Sequence, residues 1–373
     1  MTHESDRRHA RLTRLLAVTC LTLASVAAFG QSKRLNVYNW SDYIGETTIQ
    51  DFEKETGIKV RYDTFDSNET LHAKLVAGRT GYDIVVPSSN WAKIQIEGGL
   101  FTKLDKSKIP NYKNLDPWVM KQIATMDPGN EHLVPWMWGI TTVGINVDKV
   151  KKALGSLPMP DNAWDLVFKP EYADKLKSCG ISVLDSGDEI FPAALRYVGK
   201  PPYSKNSADY QEAARMLSKI RPDISLFSSS GYINDLASGN LCVSLGWNGD
   251  IGIAAQRAKE AKNGQNIQIL IPKTGAVLFF DTMAIPVDAE NVDNAYKWIN
   301  FILEPKTQAG MVDKVFYANP VRAADKLAKP EIVANHAVFL QGDDLAKMVP
   351  PNMVDNDIRR LRTRLYTTFK TGL

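Results

Sequence analysis

Residues 35–87 read LNVYNWSDYIGETTIQDFEKETGIKVRYDTFDSNETLHAKLVAGRTGYDIVVP. Leu35–Trp40 is rich in strand-favouring residues. Thr47–Thr56 carries Ile49 and Phe52 at helical spacing and stops at Gly57, a natural helix end. Lys59–Phe65 alternates with period two. Ser67 or Asn68 can cap a following helix with Leu71, Leu75 and Val76 on one face, ending at Gly78. Tyr82–Pro87 is a continuous apolar run that predicts a strand, and Ser88 or Ser89 can cap the helix after it. Strand, helix, strand, helix, strand with short loops predicts an α/β fold with a mostly parallel, doubly wound sheet. Ligands of such sheets gather at the carboxyl ends of the strands. Those ends hold Trp40-Ser41-Asp42-Tyr43 and Ser88-Ser89.

A second α/β region begins near Gly139. Ile140–Val147 and Cys179–Leu184 predict strands, the latter running into Asp185-Ser186-Gly187-Asp188-Glu189. Ala208–Ile220 predicts a helix with Met216 and Leu217 on its apolar side. Leu241–Leu245 predicts a strand ending in Gly246-Trp247-Asn248-Gly249-Asp250, with a helix from there to about Lys262. Ile267–Ile271 and Val277–Pro286 read as extended, and Ala295–Leu303 as helical. No repeat and no low-complexity linker separates the two regions, so the chain is expected to cross between them more than once.

The chain has 373 residues, 45 basic and 42 acidic, for a formal net charge of +3. Such a length supports two domains or lobes, and so small a basic excess argues against a nucleic-acid binder. Residues 1–30 hold Arg7, Arg8, Arg11 and Arg14 against Glu4 and Asp6; removing them leaves 41 basic and 40 acidic groups, net +1. Leu15–Phe29 carries no charge, and Ala28 and Gly30 sit at the −3 and −1 positions before Gln31. A basic start, a short apolar run and a small-residue site describe a secretory signal peptide cleaved near Gly30. The run falls short of the roughly 20 residues of a membrane span. A lipoprotein reading of Cys20 lacks the small residue expected before the cysteine, and Asp6 and His9 fit a twin-arginine pattern poorly. Without the leader, Cys179 and Cys242 remain, a candidate disulfide in an oxidising compartment; the alternative is two free thiols.

Catalytic signatures are missing from the sequence: no Gly-x-Ser-x-Gly elbow, no His-Glu-x-x-His helix, no phosphate loop and no dinucleotide fingerprint. His72, His132 and His336 are scattered, which argues against a metal site, and no cofactor is expected. What stands out is the pairing of aromatic and acidic residues at expected strand ends: Trp40 with Asp42 and Tyr43, Trp247 with Asp250, Phe279 and Phe280 with Asp281, and Tyr317 after Phe316. Asp185, Asp188 and Glu189 crowd one loop. Ring faces pack on methylenes and attract ammonium groups, and carboxylates accept charge-assisted hydrogen bonds from –NH₃⁺. The pattern suits an elongated organic dication.

The segments Val37–Ile44, Asp51–Val60, Tyr82–Ser88, Tyr232–Ala237, Gly246–Asp250 and Val315–Asn319 resemble the periplasmic polyamine-binding proteins of ABC importers, most closely the putrescine-binding type. The resemblance covers 31–373. It implies a two-lobed type II periplasmic-binding-protein fold, hinged about a central cleft, with residues 31–138 plus 269–313 in lobe 1 and 139–268 plus 314–373 in lobe 2. It implies an aromatic box of Trp40, Tyr43, Trp247, Phe279 and Tyr317. Asp42 and Asp281 would hold one ammonium, and Asp250 and Glu189 the other, with hydroxyl contacts from Ser41 and Ser88. The family's disulfide maps onto Cys179 and Cys242. Spermidine-preferring members often carry Thr-Glu after the motif Trp, and Trp in place of Phe279; this chain has Ser41-Asp42 and Phe279. It departs from the putrescine type at Asn90-Trp91, where Trp91 is expected to pack beside the pocket. The expectations are therefore a monomeric, periplasmic, non-enzymatic protein that captures putrescine by hinge closure and delivers it to a membrane permease. Spermidine, agmatine or cadaverine remain alternative ligands, and polyamine sensing an alternative role.

Overall fold

The computed structural model describes residues 33–372. The expected leader, with Cys20 and the cleavage point near Gly30, lies outside them. Among the described residues nine strands run in the order β1 (Arg34–Trp40), β2 (Lys59–Phe65), β3 (Ile84–Val85), β4 (Val134–Asn146), β5 (Ile181–Val183), β6 (Leu226–Phe227), β7 (Val243–Trp247), β8 (Ile267–Leu270) and β9 (Leu278–Met283). The helices that matter for the site are α1 (Thr48–Thr56), α2 (Asn68–Ala77), α3 (Ser89–Glu97), α4 (Gly187–Tyr197), α5 (Ser207–Ile220), α6 (Tyr232–Ser238), α7 (Asn248–Ala261), α8 (Val292–Ile302), α9 (Pro305–Val315) and α10 (Asn356–Thr371).

The first sheet is parallel, in the order β2-β1-β3. Leu35 and Val37 are fully buried on β1, and Phe52 of α1 closes over them into the same core. Gly57 ends α1 at φ +70°, a conformation open to glycine without strain. Ser67 caps α2 by accepting the Thr70 N–H. Leu71 and Leu75 of that helix are buried, but Val76 is 63% exposed. Five residues of helix turn Val76 about 140° away from Leu71, off the apolar face. The expected strand Tyr82–Pro87 pairs as a ladder only at Ile84–Val85, although single bonds from Asp83 N–H to Asn36 O and from Val86 N–H to Tyr38 O hold its flanks along β1.

The second sheet has the order β6-β5-β7-β4-β8. It is mixed: β5 is parallel to β6 and β7, whereas β4 runs antiparallel to β7 and β8. The strand expected from Ile140 begins earlier, at Val134, and β4 is buried along its whole length. Its first half, Val134–Ile140, pairs with β9, and its second half, Thr141–Asn146, pairs with β7 and β8. The change of partner lies beside the expected division at 138/139. β8, which pairs with the second half of β4, spans the expected division at 268/269. The disulfide Cys179–Cys242, with Cα atoms 5.5 Å apart, joins the chain just before the neighbouring parallel strands β5 and β7. Among the described residues, no helix is long and apolar enough to cross a membrane.

Candidate functional site

The carboxyl end of β1, the start of α3, the loop into α4, the β7–α7 junction, β9 and the residues after α9 converge on one cavity. About 410 Å³ of empty space lies between Trp40, Ser41, Tyr43, Ser88, Glu189, Ser229, Trp247, Asp250, Phe279, Asp281 and Tyr317. Ten of these eleven are residues that the sequence pointed to; Ser229 is the addition.

The walls are aromatic. Trp40 donates its indole N–H to Val86 O at 2.9 Å, which fixes the ring, and it meets Trp247 edge-on at 5.7 Å between centroids. Tyr317 takes the edge-on position against both Tyr43, at 4.9 Å, and Phe279, at 5.8 Å. Phe316 caps α9 in the left-handed conformation and so directs the next residue, Tyr317, inward. The Gly-Trp-Asn-Gly-Asp motif explains itself against that ring. A Cβ on Gly249 would lie 2.3 Å from Tyr317, and a Cβ on Gly139 of β4 would lie 2.4 Å from Asn248 Oδ1. Asn248 needs its position, because it accepts the Ile140 N–H at 3.0 Å and donates to Ala337 O at 2.9 Å.

Three carboxylates enter this aromatic space. Asp281, on β9, is nearly buried and accepts the Ser88 hydroxyl at 2.6 Å. Ser88 occupies the N-cap of α3 without capping it, since its hydroxyl is turned to Asp281. Tyr43 lies close enough to Asp281 for the carboxylate to resist the ionisation of the phenol, which burial already suppresses, but its hydroxyl is not in hydrogen-bonding geometry and is left without a partner. Asp250, in the first turn of α7, accepts from Tyr317 at 2.6 Å and from Tyr232 at 2.9 Å. Each phenol oxygen accepts in turn a backbone N–H, Tyr317 from Asp250 and Tyr232 from Trp247, both at 3.1 Å. Glu189, in the first turn of α4, accepts the hydroxyl of Thr141 from β4.

Burial is the largest influence on all three acids. It pushes Asp250 and Asp281 up to about 7, against hydrogen bonds from Tyr317 and Tyr232 in the first case and from Ser88 in the second. Asp281 is raised further by Glu189 and Asp250, and Glu189 is itself raised by burial. No basic side chain is among the described residues that line the cavity. Burying ionised carboxylates without a counter-charge is costly. The arrangement therefore favours a cation with donors at its ends and an apolar middle. Among the described residues no group of three or more His, Cys, Asp or Glu could hold a metal ion.

Asp42 is placed differently from the expectation. It has φ +54°, and its carboxylate pairs with Arg257 of α7 instead of lining the cavity. Asp185 also lies elsewhere, bound by the Tyr366 hydroxyl at 2.6 Å and by Lys370 at 2.7 Å. Trp91 lies outside the cavity wall: it donates its indole N–H to Asp188 at 2.9 Å and packs on His72. Thr141, Tyr232 and Ser229 were not singled out as site residues from sequence. Tyr232 lies in one of the family-like segments, but nothing local says that its hydroxyl reaches a carboxylate 18 residues on.

Residues 47–339 match the family model described as bacterial extracellular solute-binding protein. This chain is a member of that family. The solute-binding protein is 49% identical over 359 residues to the putrescine-binding periplasmic protein PotF of Escherichia coli, covering 96% of this chain and 95% of that one. It is 46% identical, over 96% and 98% of the two chains, to the putrescine-binding periplasmic protein SpuD of Pseudomonas aeruginosa. A solved structure described as a spermidine/putrescine ABC transporter from Listeria monocytogenes superposes with a TM-score of 0.79 at 33% identity, covering 92% of this chain and all of that one. The fold of the solute-binding protein is thus the two-lobed type II periplasmic-binding-protein fold, with its cavity where the strand ends of both sheets meet.

Proposed function

We propose that this solute-binding protein captures putrescine in the periplasm and presents it to the membrane permease of an ABC importer. The observation that carries the reading is a cavity lined by five aromatic rings and three buried or half-buried carboxylates, with no basic side chain among the described residues that line it. One ammonium group is held by Asp281, with Ser88 and the unpartnered Tyr43 hydroxyl beside it. The other is held by Asp250 and Glu189, and the four methylenes between them pack on Trp40, Trp247, Phe279 and Tyr317. Binding alone is needed for this role, so no nucleophile or cofactor is assigned and the protein acts as a monomer. Lobe 1, residues 31–138 with 269–313, and lobe 2, residues 139–268 with 314–373, close on the dication. Closure follows because the ligand binds the closed form more tightly than the open one. The near relatives named for putrescine support this choice of ligand.

Calorimetric titration with putrescine, cadaverine, agmatine and spermidine tests the reading. Putrescine should bind most tightly. Absence of binding to all four would overturn it. Agmatine and cadaverine belong in the series because more distant relatives in Pseudomonas aeruginosa are named for putrescine with agmatine and for putrescine with cadaverine.

A further inference from the structure

Behind the first cavity lies a smaller one of about 230 Å³, lined by Asn90, Trp91, Asp188, Met353, Arg359 and Arg362 among others. The two cavities share chain segments. Ser88 faces the first, and Asn90 and Trp91 face the second; Glu189 faces the first, and Asp188 the second. Glu189 and Asp188 are consecutive in the chain, which sets the second space next to the Glu189 end of the first.

That space already holds a positive charge. Arg362 of α10 is 6% exposed, and its guanidinium pairs with one oxygen of Asp188. The other oxygen accepts the Trp91 indole N–H. Asp188 has therefore no oxygen left without a donor, and Arg359 adds a second cation to the same wall. Glu189 lies within electrostatic reach of both Asp188 and Arg362, and so does the surface residue Glu69. Asp188, Glu189 and Glu69 are thus under the field of a fixed guanidinium.

The geometry points to Arg362 as the residue that limits ligand charge: its guanidinium stands where the third ammonium of a triamine would have to go, so the protein selects diamines over triamines. This inference rests on the polyamine reading above. A buried guanidinium cannot be neutralised by losing its proton, so the only ways to admit a third ammonium are to displace Arg362 or to accept like-charge repulsion in a poorly solvated site.

Two measurements test it. In the Arg362→Gln variant, the ratio of spermidine affinity to putrescine affinity should rise at least tenfold over the wild type, while Arg362→Lys, which keeps the charge, should leave the ratio near the wild-type value. Circular dichroism melts establish that each variant is folded. The second measurement needs no substitution. N-butylputrescine has the length of spermidine with a methyl in place of the third ammonium, and it should bind the wild type at least tenfold more tightly than spermidine does. An unmoved ratio in folded Arg362→Gln, or spermidine binding as well as N-butylputrescine, would overturn the role of Arg362. Those results leave putrescine binding intact, whereas failure of the wild type to bind putrescine would remove the functional reading itself.

Discussion

Asp281 and Asp250 bear the same charge and sit in the same cavity, yet their neighbours differ in kind. Asp250 is held by two phenols that are themselves fixed by backbone N–H groups. Asp281 has one firm donor, Ser88, so more of its hydrogen-bonding capacity is open to a ligand. A charged hydrogen bond contributes roughly 1.5–3 kcal/mol, and more is lost when its buried partner is left unpaired. Asp281→Asn should therefore weaken putrescine binding by about tenfold to a hundredfold or more, read by isothermal titration; an unchanged affinity would take Asp281 out of the site. At this scale the sequence was informative about identity and less so about direction. Residue type and strand-end position pointed to Asp281, Asp250 and Glu189. The same logic pointed to Asp42, but its own left-handed backbone, two residues past the end of β1, breaks the alternation that would carry its side chain inward, and Arg257 takes up the carboxylate. Arg257 is 215 residues away in the chain, and no local pattern announces such a pairing.

Elements explain which parts of the fold could be read in advance. α1, β2, α2, α5 and α7 run close to the bounds that their periodicity and end signals give. β4 did not show its full length, since Trp136, Met137 and Trp138 lie between Pro135 and Gly139 and present neither alternation nor a clean turn. Its extent is decided by β9, more than 130 residues downstream. The disulfide belongs to this scale as well. It ties the starts of β5 and β7 and closes a segment with a sequence separation of 63 residues. Loop-closure entropy for that length is worth roughly 4 kcal/mol. The double variant Cys179→Ser with Cys242→Ser should lose stability of that order in urea unfolding. Its putrescine affinity should change little, because neither cysteine touches the cavity. A variant as stable as the wild type would show that the bridge constrains nothing the fold does not already hold.

For the whole molecule, the raised acids make both stability and binding depend on pH, with opposite signs. Free aspartate titrates near 3.9, whereas burial pushes Asp250 and Asp281 up to about 7. Between those values the folded form holds protons that the unfolded chain has released. Raising the pH from about 4 to about 7 should therefore destabilise the protein without ligand. A dication requires both groups ionised, so its binding expels those protons and strengthens over the same window. Below pH 7, putrescine affinity should fall by up to about tenfold per pH unit for each carboxylate that must ionise. Titrations at pH 5, 6, 7 and 8, in buffers of different protonation enthalpy, measure both the slope and the protons released. A flat profile with no proton release would contradict the assignment of these acids. The rise in melting temperature on adding putrescine should likewise be larger at pH 8 than at pH 5.

β4 runs without leaving the core from its ladder with β9 to its ladders with β7 and β8. Neither ladder can melt without stripping partners from a strand that the other still uses. Just past β9, Ala284 bridges to Val85 of β3, which carries this coupling to the first sheet. The two sheets should then unfold in one cooperative transition in place of two independent ones, and a ligand bound at their strand ends should add its binding energy to the stability of both at once.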